Sequence, residues 1–258
     1  MRIYLHSDLH MEFGERYFIP EAKNYADADV IVLAGDIHHA ERSPLWIHQN
    51  FGGLGKPIVY VAGNHEYYDG HWRDSLAFLR SECAKYPEIH FLEDDCWTHP
   101  DGVRFMGASL WTSFTLEGKM SWNMEAAARC MNDYRKIEDS ANGSMDLNPV
   151  EVRKRHLKSR KALKAMLASK PEGVRDVVVT HHAPHPRSIS EGYVSDDVRS
   201  CYATNLRALV LEHKPTLWLH GHIHDPVTYL LGTTRVASNP ADYPMERTEP
   251  VTPLVLVV

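Results

Sequence analysis

Aspartate, asparagine and histidine gather in five short clusters along this chain. They are Asp8-Leu9-His10, Gly35-Asp36, Gly63-Asn64-His65-Glu66, Thr180-His181-His182-Ala183-Pro184 and His220-Gly221-His222-Ile223-His224. Carboxylate and carboxamide oxygens mixed with imidazole nitrogens suit Mn, Fe, Zn, Co or Ni, and not an ion that prefers thiolates. Asp8, His10, Asp36, Asn64, His181, His222 and His224 make seven donor residues, more than a mononuclear site uses. Two divalent metal ions sharing the Asp36 carboxylate would use them all, at the ~3.5–4 Å spacing of two-metal hydrolytic centres. A water held between two such cations ionises near neutral pH and becomes a nucleophile that needs no Ser or Cys. His65 is not required as a donor, so it is free to protonate a leaving oxygen or to stabilise transition-state charge. Glu66 has no part in this scheme and reads as a surface salt-bridge partner. Spacing leaves His181 and His182 as alternatives for one donor position.

Donors of this kind need a rigid frame. Four clusters follow apolar stretches, at 3–5, 30–33, 58–61 and 177–179, and the fifth follows Leu217-Trp218-Leu219. Residues two apart at a strand end, such as Asp8 and His10, can point the same way. Gly35 permits a tight turn and close backbone approach beside Asp36. Strands are expected near 2–6, 29–34, 57–62, 89–92 and 103–108, with helices near 43–51 and 70–84. The latter helix rests on Trp72, Leu76 and Leu79 at helical spacing. A long basic helix is expected over 149–169, with Asn148 as its cap and Pro149 in its first turn. Its lysines and arginines read as a solvated face. A strand at 176–180, a helix at 203–213, a strand at 216–220 and strands near 227–231, 234–238 and 253–257 complete the pattern. This mixture predicts an α/β fold, two sheets packed face to face with helices outside, which gathers the clusters at one edge. Residues 111–145 are less regular, with Ala126-Ala127-Ala128 marking a short helix and Asn142-Gly143-Ser144 a loop. They form either a candidate lid or substrate-facing insertion or a helical excursion that packs a side of the sheet, within a single domain spanning 1–258.

Composition narrows the function. The 258 residues are 43% hydrophobic and 24% charged, with a formal net charge of −6. Such a chain buries a large core without disulfides, and its bulk charge does not suggest a phosphate-backbone binder, which leaves a local basic groove as the alternative. Cys83, Cys96, Cys130 and Cys201 form no CxxC pair and read as reduced thiols. No stretch approaches the ~20 apolar residues of a membrane span, and the N-terminus enters a strand with no leader-like run. A cytoplasmic protein is expected.

In their order, Asp-x-His, Gly-Asp, Gly-Asn-His-Glu, a lone His and Gly-His-x-His, the clusters resemble the calcineurin-like metallophosphoesterase superfamily. The resemblance spans residues 8–224. It implies a four-layer αββα sandwich and a binuclear centre. The first metal would take Asp8, His10, Asp36 and His224, and the second Asp36, Asn64, His181 and His222. His181 is preferred over His182 because it follows the strand directly, as the family's ligand does. His65 would be the catalytic histidine. His182, Arg187 and Arg135 are candidate substrate contacts, Arg135 because Asn132-Asp133-Tyr134-Arg135 looks like a lid element. The chain lacks the Asp-Arg-Gly that follows Gly-Asp in the family's protein phosphatases, so close kinship with those is not expected. Its Gly-Asn-His and His-His-x-Pro patterns resemble bacterial small-molecule diesterases. The expected activity is hydrolysis of a small-molecule phosphate ester, a diester before a monoester. A non-catalytic scaffold of the same fold and a nuclease are the alternatives. The first is disfavoured by the complete donor set and the second by overall acidity.

Overall fold

Strand β1 (Arg2–His6) shows how one segment serves two layers: Ile3 and Leu5 join one buried cluster and Tyr4 joins another. Period-two alternation with both faces apolar marks a strand covered on both sides. The computed structural model describes residues 1–14, 18–139, 146–247 and 250–258, and repeats that pattern in the central strands of both sheets. The loop expected at Asn142-Gly143-Ser144 lies outside the described residues. The other strands are β2 Val30–Leu33, β3 Ile58–Tyr60, β4 Gly70–His71, β5 Ile89–Phe91, β6 Asp95–His99, β7 Val103–Ala108, β8 Ile137–Glu138, β9 Arg175–Thr180, β10 Leu217–His220, β11 Thr228–Leu231, β12 Thr234–Ser238 and β13 Leu254–Val257. The α-helices are α1 Ser43–Phe51, α2 Trp72–Cys83, α3 Met120–Cys130, α4 Asp133–Lys136, α5 Pro149–Ala168, α6 Arg199–Tyr202 and α7 Arg207–His213.

One sheet has the order β13-β1-β2-β3-β5 and is parallel except for β13. The other has the order β11-β12-β10-β9-β7-β6, with parallel central strands and antiparallel edges. Ile3, Leu5, Val32, Val61, Phe105, Val179 and Leu219 fill the space between the sheets. Tyr4, Ile31 and Tyr60 face outward onto Trp46 and Ile47 of α1 and Leu79 of α2. Met106, Val178 and Trp218 face the other way, onto Leu163 and Leu167 of α5 and Leu209 and Val210 of α7. Helix, sheet, sheet and helix make the four-layer αββα sandwich that the sequence predicts.

The differences from expectation are local. Strand β6 is absent from the sequence reading, because Asp95-Cys96-Trp97-Thr98-His99 is a polar edge strand with no apolar face to read. Gly70 and His71 start the predicted second helix in sequence, but form β4 and pair in parallel with β8. The helix expected over 203–213 begins only at Arg207, as α7; α6 precedes the expected range, and Ala203 between the two bridges Ala183. Helix α5 begins where predicted: the Asn148 side chain accepts from the Val150 and Glu151 amides, each at 3.1 Å.

Candidate metal centre

All five clusters lie just past the C-terminal ends of parallel strands, after β1, β2, β3, β9 and β10. Open α/β sheets place their ligand sites at this edge. The backbone there is unusual. Asp8, His10, Asp36 and His222 have φ of 53°, 51°, 55° and 66°. Side-chain-bearing residues avoid this left-handed region by roughly 1–2 kcal/mol each. Backbone hydrogen bonds hold it: the Asp8 amide donates to Gly35 O at 2.9 Å and the His10 amide to Asp36 O at 3.0 Å. The His222 amide donates to Asp8 Oδ1 at 3.0 Å, tying β10 to β1. At Gly35, whose φ is +89°, a Cβ would lie 2.4 Å from His181 Nδ1, and at Gly63 one would lie 2.1 Å from Asp36 Oδ1. Only glycine lets the donors approach so closely.

The donors fall into two overlapping groups. Donor atoms of Asp8, His10 and His224 lie within 4.8 Å of one another, as do those of Asp36, His181 and His222. Asp36 also groups with His10 and His65, so its carboxylate stands between the two sets. Its Oδ2 is 3.4 Å from His181 Nε2 and 3.9 Å from His10 Nε2. Asn64 Oδ1 is 3.1 Å from His181 Nε2.

Hydrogen bonds at the far nitrogens aim these rings. His10 Nδ1 lies 2.9 Å from Glu12 Oε1, His181 Nδ1 lies 2.9 Å from Ala34 O, and His224 Nδ1 lies 2.8 Å from Asp242 Oδ1. Each acceptor calls for a proton on Nδ1, which leaves Nε2 as the inward-facing lone pair. His10 Nε2 and His224 Nε2 then face each other at 3.2 Å, and His181 Nε2 faces an amide oxygen. Facing lone pairs need a proton or a cation between them. His222 Nε2 is buried with no hydrogen-bond partner. An orphaned imidazole nitrogen beside facing acceptors fits a pair of divalent cations.

Charge in the protein alone leads the same way. Burial would lower the His181 pKa, but Asp36 beside it brings it up to about 9. Burial would likewise lower His224, and its hydrogen bonds to Asp242 and Asp8 bring it to about 10. Burial would raise the Asp36 carboxyl, yet the imidazoles of His181 and His65 hold it well below the usual range. The pocket thus demands positive charge. Glu12 shares in this balance: its Oε1 lies 2.7 Å from His65 Nδ1 as well as 2.9 Å from His10 Nδ1. Burial opposes its ionisation, but the two imidazoles bring its pKa down to about 2. Glu66 is no surface salt-bridge partner. It is fully buried, and its carboxylate accepts from the backbone amides of Gly63, Asp36 and Ile37 and from Tyr60 Oη. It therefore binds the second cluster to the third.

A cavity of about 180 Å³ opens over the donors, lined by Asp36, Asn64, His65, His222 and His224 together with Tyr68, Cys130, Met131, Asn132, Tyr193, Tyr202 and Tyr243. The predicted donors and His65 are thus brought together, and the 111–139 stretch supplies part of one wall. His182 lies behind the site: it is buried, its Nδ1 is 3.1 Å from Ser109 O, and its ring centroid is 4.1 Å from that of His222. Arg135 is exposed and donates to the Arg129 carbonyl. Arg187 donates to Leu230 O at 2.9 Å and lies over the Tyr229 ring at 4.5 Å. The structure does not bring His182, Arg135 or Arg187 to the cavity wall. Glu12, Asp242, Tyr68, Tyr193 and Tyr202 stand at the site without having been singled out by the sequence pattern, whereas Asp133 belongs to the stretch read as a lid element. Only the closeness of Glu12 to His10 and of Tyr68 to His65 offers a signal.

A sandwich with a shared carboxylate between two His-rich donor groups defines a binuclear metallohydrolase. A sequence model of the calcineurin-like phosphoesterase family matches residues 1–226, and the chain belongs to that family. It is a metal-dependent hydrolase of phosphoric esters that works with two divalent metal ions. An uncharacterized protein of Acanthamoeba polyphaga mimivirus is 25% identical over 265 residues, 93% of this chain and 91% of the relative. Phosphopantetheinyl hydrolase from Mycobacterium tuberculosis shares the fold with a TM-score of 0.74 and 16% identity, over 99% of this chain and 95% of that one. A dimetal phosphatase from Danio rerio does so with a TM-score of 0.51 and 13% identity, over 92% and 86%. Among the described residues, no helix is long and apolar enough to cross a membrane.

Proposed function

We propose that this enzyme hydrolyses a small phosphodiester in preference to a phosphomonoester. The observation that supports this is the cavity lining, which holds four tyrosines and a methionine and neither lysine nor arginine. A monoester brings a second negative charge that no lysine or arginine of the lining is there to meet. Carboxylates crowd the surroundings: Asp8, Glu12, Asp36, Asp133 and Asp242 all lie within one or two contacts of the donors.

In this reading Asp8, His10, Asp36 and His224 hold one cation, and Asp36, Asn64, His181 and His222 hold the other. Bound there, the cations supply Lewis acidity and a nucleophile at neutral pH. His65 provides the proton for the leaving oxygen. Its Nδ1 is fixed on Glu12, its Nε2 lies 3.9 Å from Asp36 Oδ2, and its ring forms part of the cavity wall. Asp36 is the shared donor, and Asp36→Asn is expected to lower turnover of an aryl phosphate by at least ~10³-fold, since one change weakens both cation sites. Undiminished turnover would overturn the ligand assignment.

The ester preference is tested by comparing bis(p-nitrophenyl) phosphate with p-nitrophenyl phosphate under saturating Mn. The diester should give a kcat/KM about tenfold higher, equivalent to ~1.4 kcal/mol of differential transition-state stabilisation. A higher value for the monoester would sink the preference. Likeness to the Mycobacterium phosphopantetheinyl hydrolase adds a phosphopantetheinyl ester to the substrate panel. The exposed thiols of Cys96 and Cys130 suit a reducing compartment, which supports the cytoplasm as its location.

A further inference from the structure

The 133–138 stretch is built into the metal centre. The Asp69 amide donates to Lys136 O at 2.7 Å, and β8 pairs with β4, which follows shortly after His65. This pairing brings Asp133, at the start of α4, against the third donor cluster. Asp133 is 4% exposed. Its Oδ1 accepts from Asn64 Nδ2 at 2.9 Å and from Tyr68 Oη at 2.7 Å. Tyr68 in turn stacks on His65, with centroids 4.2 Å apart and planes at 28°.

A carboxamide fits its space almost equally well in two orientations, with oxygen and NH₂ exchanged. Only one presents an oxygen to a cation; the other presents two hydrogens and repels it. A carboxylate is an acceptor only, so it draws the NH₂ end of Asn64 towards itself. Turned the other way, Asn64 Oδ1 would face Asp133 Oδ1, acceptor against acceptor. We propose that Asp133 is a positioning residue that sets the orientation of the Asn64 carboxamide, turning Oδ1 towards the cation, and that it steadies the plane of His65 through Tyr68. This rests on the reading of Asn64 as a ligand.

The test counts bound Mn per chain by mass spectrometry and measures the two affinities by calorimetry, in the full chain. Wild type should bind two ions. Asp133→Ala should weaken one of them by about 10–100-fold, as loss of a ligand's supporting partner does. Asp133→Asn, whose own amide oxygen can still accept, should stay close to wild type. The sharper readout is a reversal of sign. In an Asn64→Asp background a carboxylate replaces the amide, orientation ceases to matter, and Asp133 becomes a repelling neighbour. There Asp133→Ala should tighten the same ion. Equal weakening in both backgrounds would show a merely structural role and overturn the proposal, as would two ions of unchanged affinity in Asp133→Ala. If Asp133→Ala does not fold, Asp133→Asn decides. Near-normal loading in the native background and tighter loading in the Asn64→Asp background support the proposal, and weakened loading in both overturns it. A wild-type protein that binds no ion would overturn the ligand reading itself, and this inference with it.

Discussion

Glu12 touches two imidazoles with one oxygen, and its effects belong to the scale of the single residue. Glu12→Gln keeps the shape but removes the charge that holds His10 and His65 as Nδ1–H tautomers. We expect a 10–100-fold loss in Mn affinity through His10, together with a lower kcat through His65, measured by metal titration and by turnover at saturating Mn. If both stay at wild-type values, Glu12 has no hold on either ring. Its importance is not legible in the sequence. The donors are legible because several residues of the right chemistry recur in a set order, each at the end of an apolar run. Glu12 is a lone acid on a short turn, two positions past His10, and that closeness by itself does not assign it a role. Glu66 escapes sequence reading for a related reason: three of its four partners are the backbone amides of Asp36, Ile37 and Gly63, and backbone amides leave no trace in a sequence.

At the scale of elements, the turns after the strands matter more than the strands. A Cβ on Gly63 would lie 2.1 Å from Asp36 Oδ1 and 2.7 Å from the Asp36 amide. Gly63→Ala must therefore push apart the turns that follow β2 and β3. Overpacking of this kind costs about 1–3 kcal/mol, and in a chain of this size each kcal/mol lowers Tm by about 2–4 °C. We expect that fall in thermal unfolding together with reduced Mn loading; a normal Tm with two bound ions would contradict the geometry. Strands with two apolar faces and α5 with its Asn148 cap are legible, because their signals are local. The β4–β8 pair is not. Each partner is two residues long, and the pairing depends on where the 111–139 stretch is carried by its packing on Phe114, Ala127 and Tyr134. The polar edge strand β6 is hidden because its place beside β7, and not its own pattern, makes it a strand.

The whole molecule responds to acid through groups that the layers bury. His156 on α5 is 1% exposed, its Nδ1 is 3.2 Å from Leu110 O, and burial lowers its pKa from 6.5 to about 4. Between those values the unfolded chain takes up the proton and the folded chain does not. Its contribution to stability is therefore complete above pH 6.5 and is lost as pH falls towards 4, by on the order of 3 kcal/mol. Urea unfolding at pH 7 and pH 5 should show His156→Leu losing about 2 kcal/mol less than wild type over that interval. Identical losses would place the acid sensitivity elsewhere. The four-layer arrangement itself is legible, since alternating and doubly apolar strands require cover on both faces. The positions of buried polar groups between layers are not.

The donors are drawn from residue 8 to residue 224, and the Asp8 carboxylate accepts from the amide of His222. Parallel strands joined by long crossovers form late, because loop closure must come before their contacts. β1 cannot present Asp8 and His10 to their partners until β9 and β10 have docked in the opposite sheet. The groups Asp8, His10, His224 and Asp36, His181, His222 are each complete only once both sheets are in place. Each cation would therefore join one sheet to the other, and ions that bind only the folded chain add to the hold between the layers.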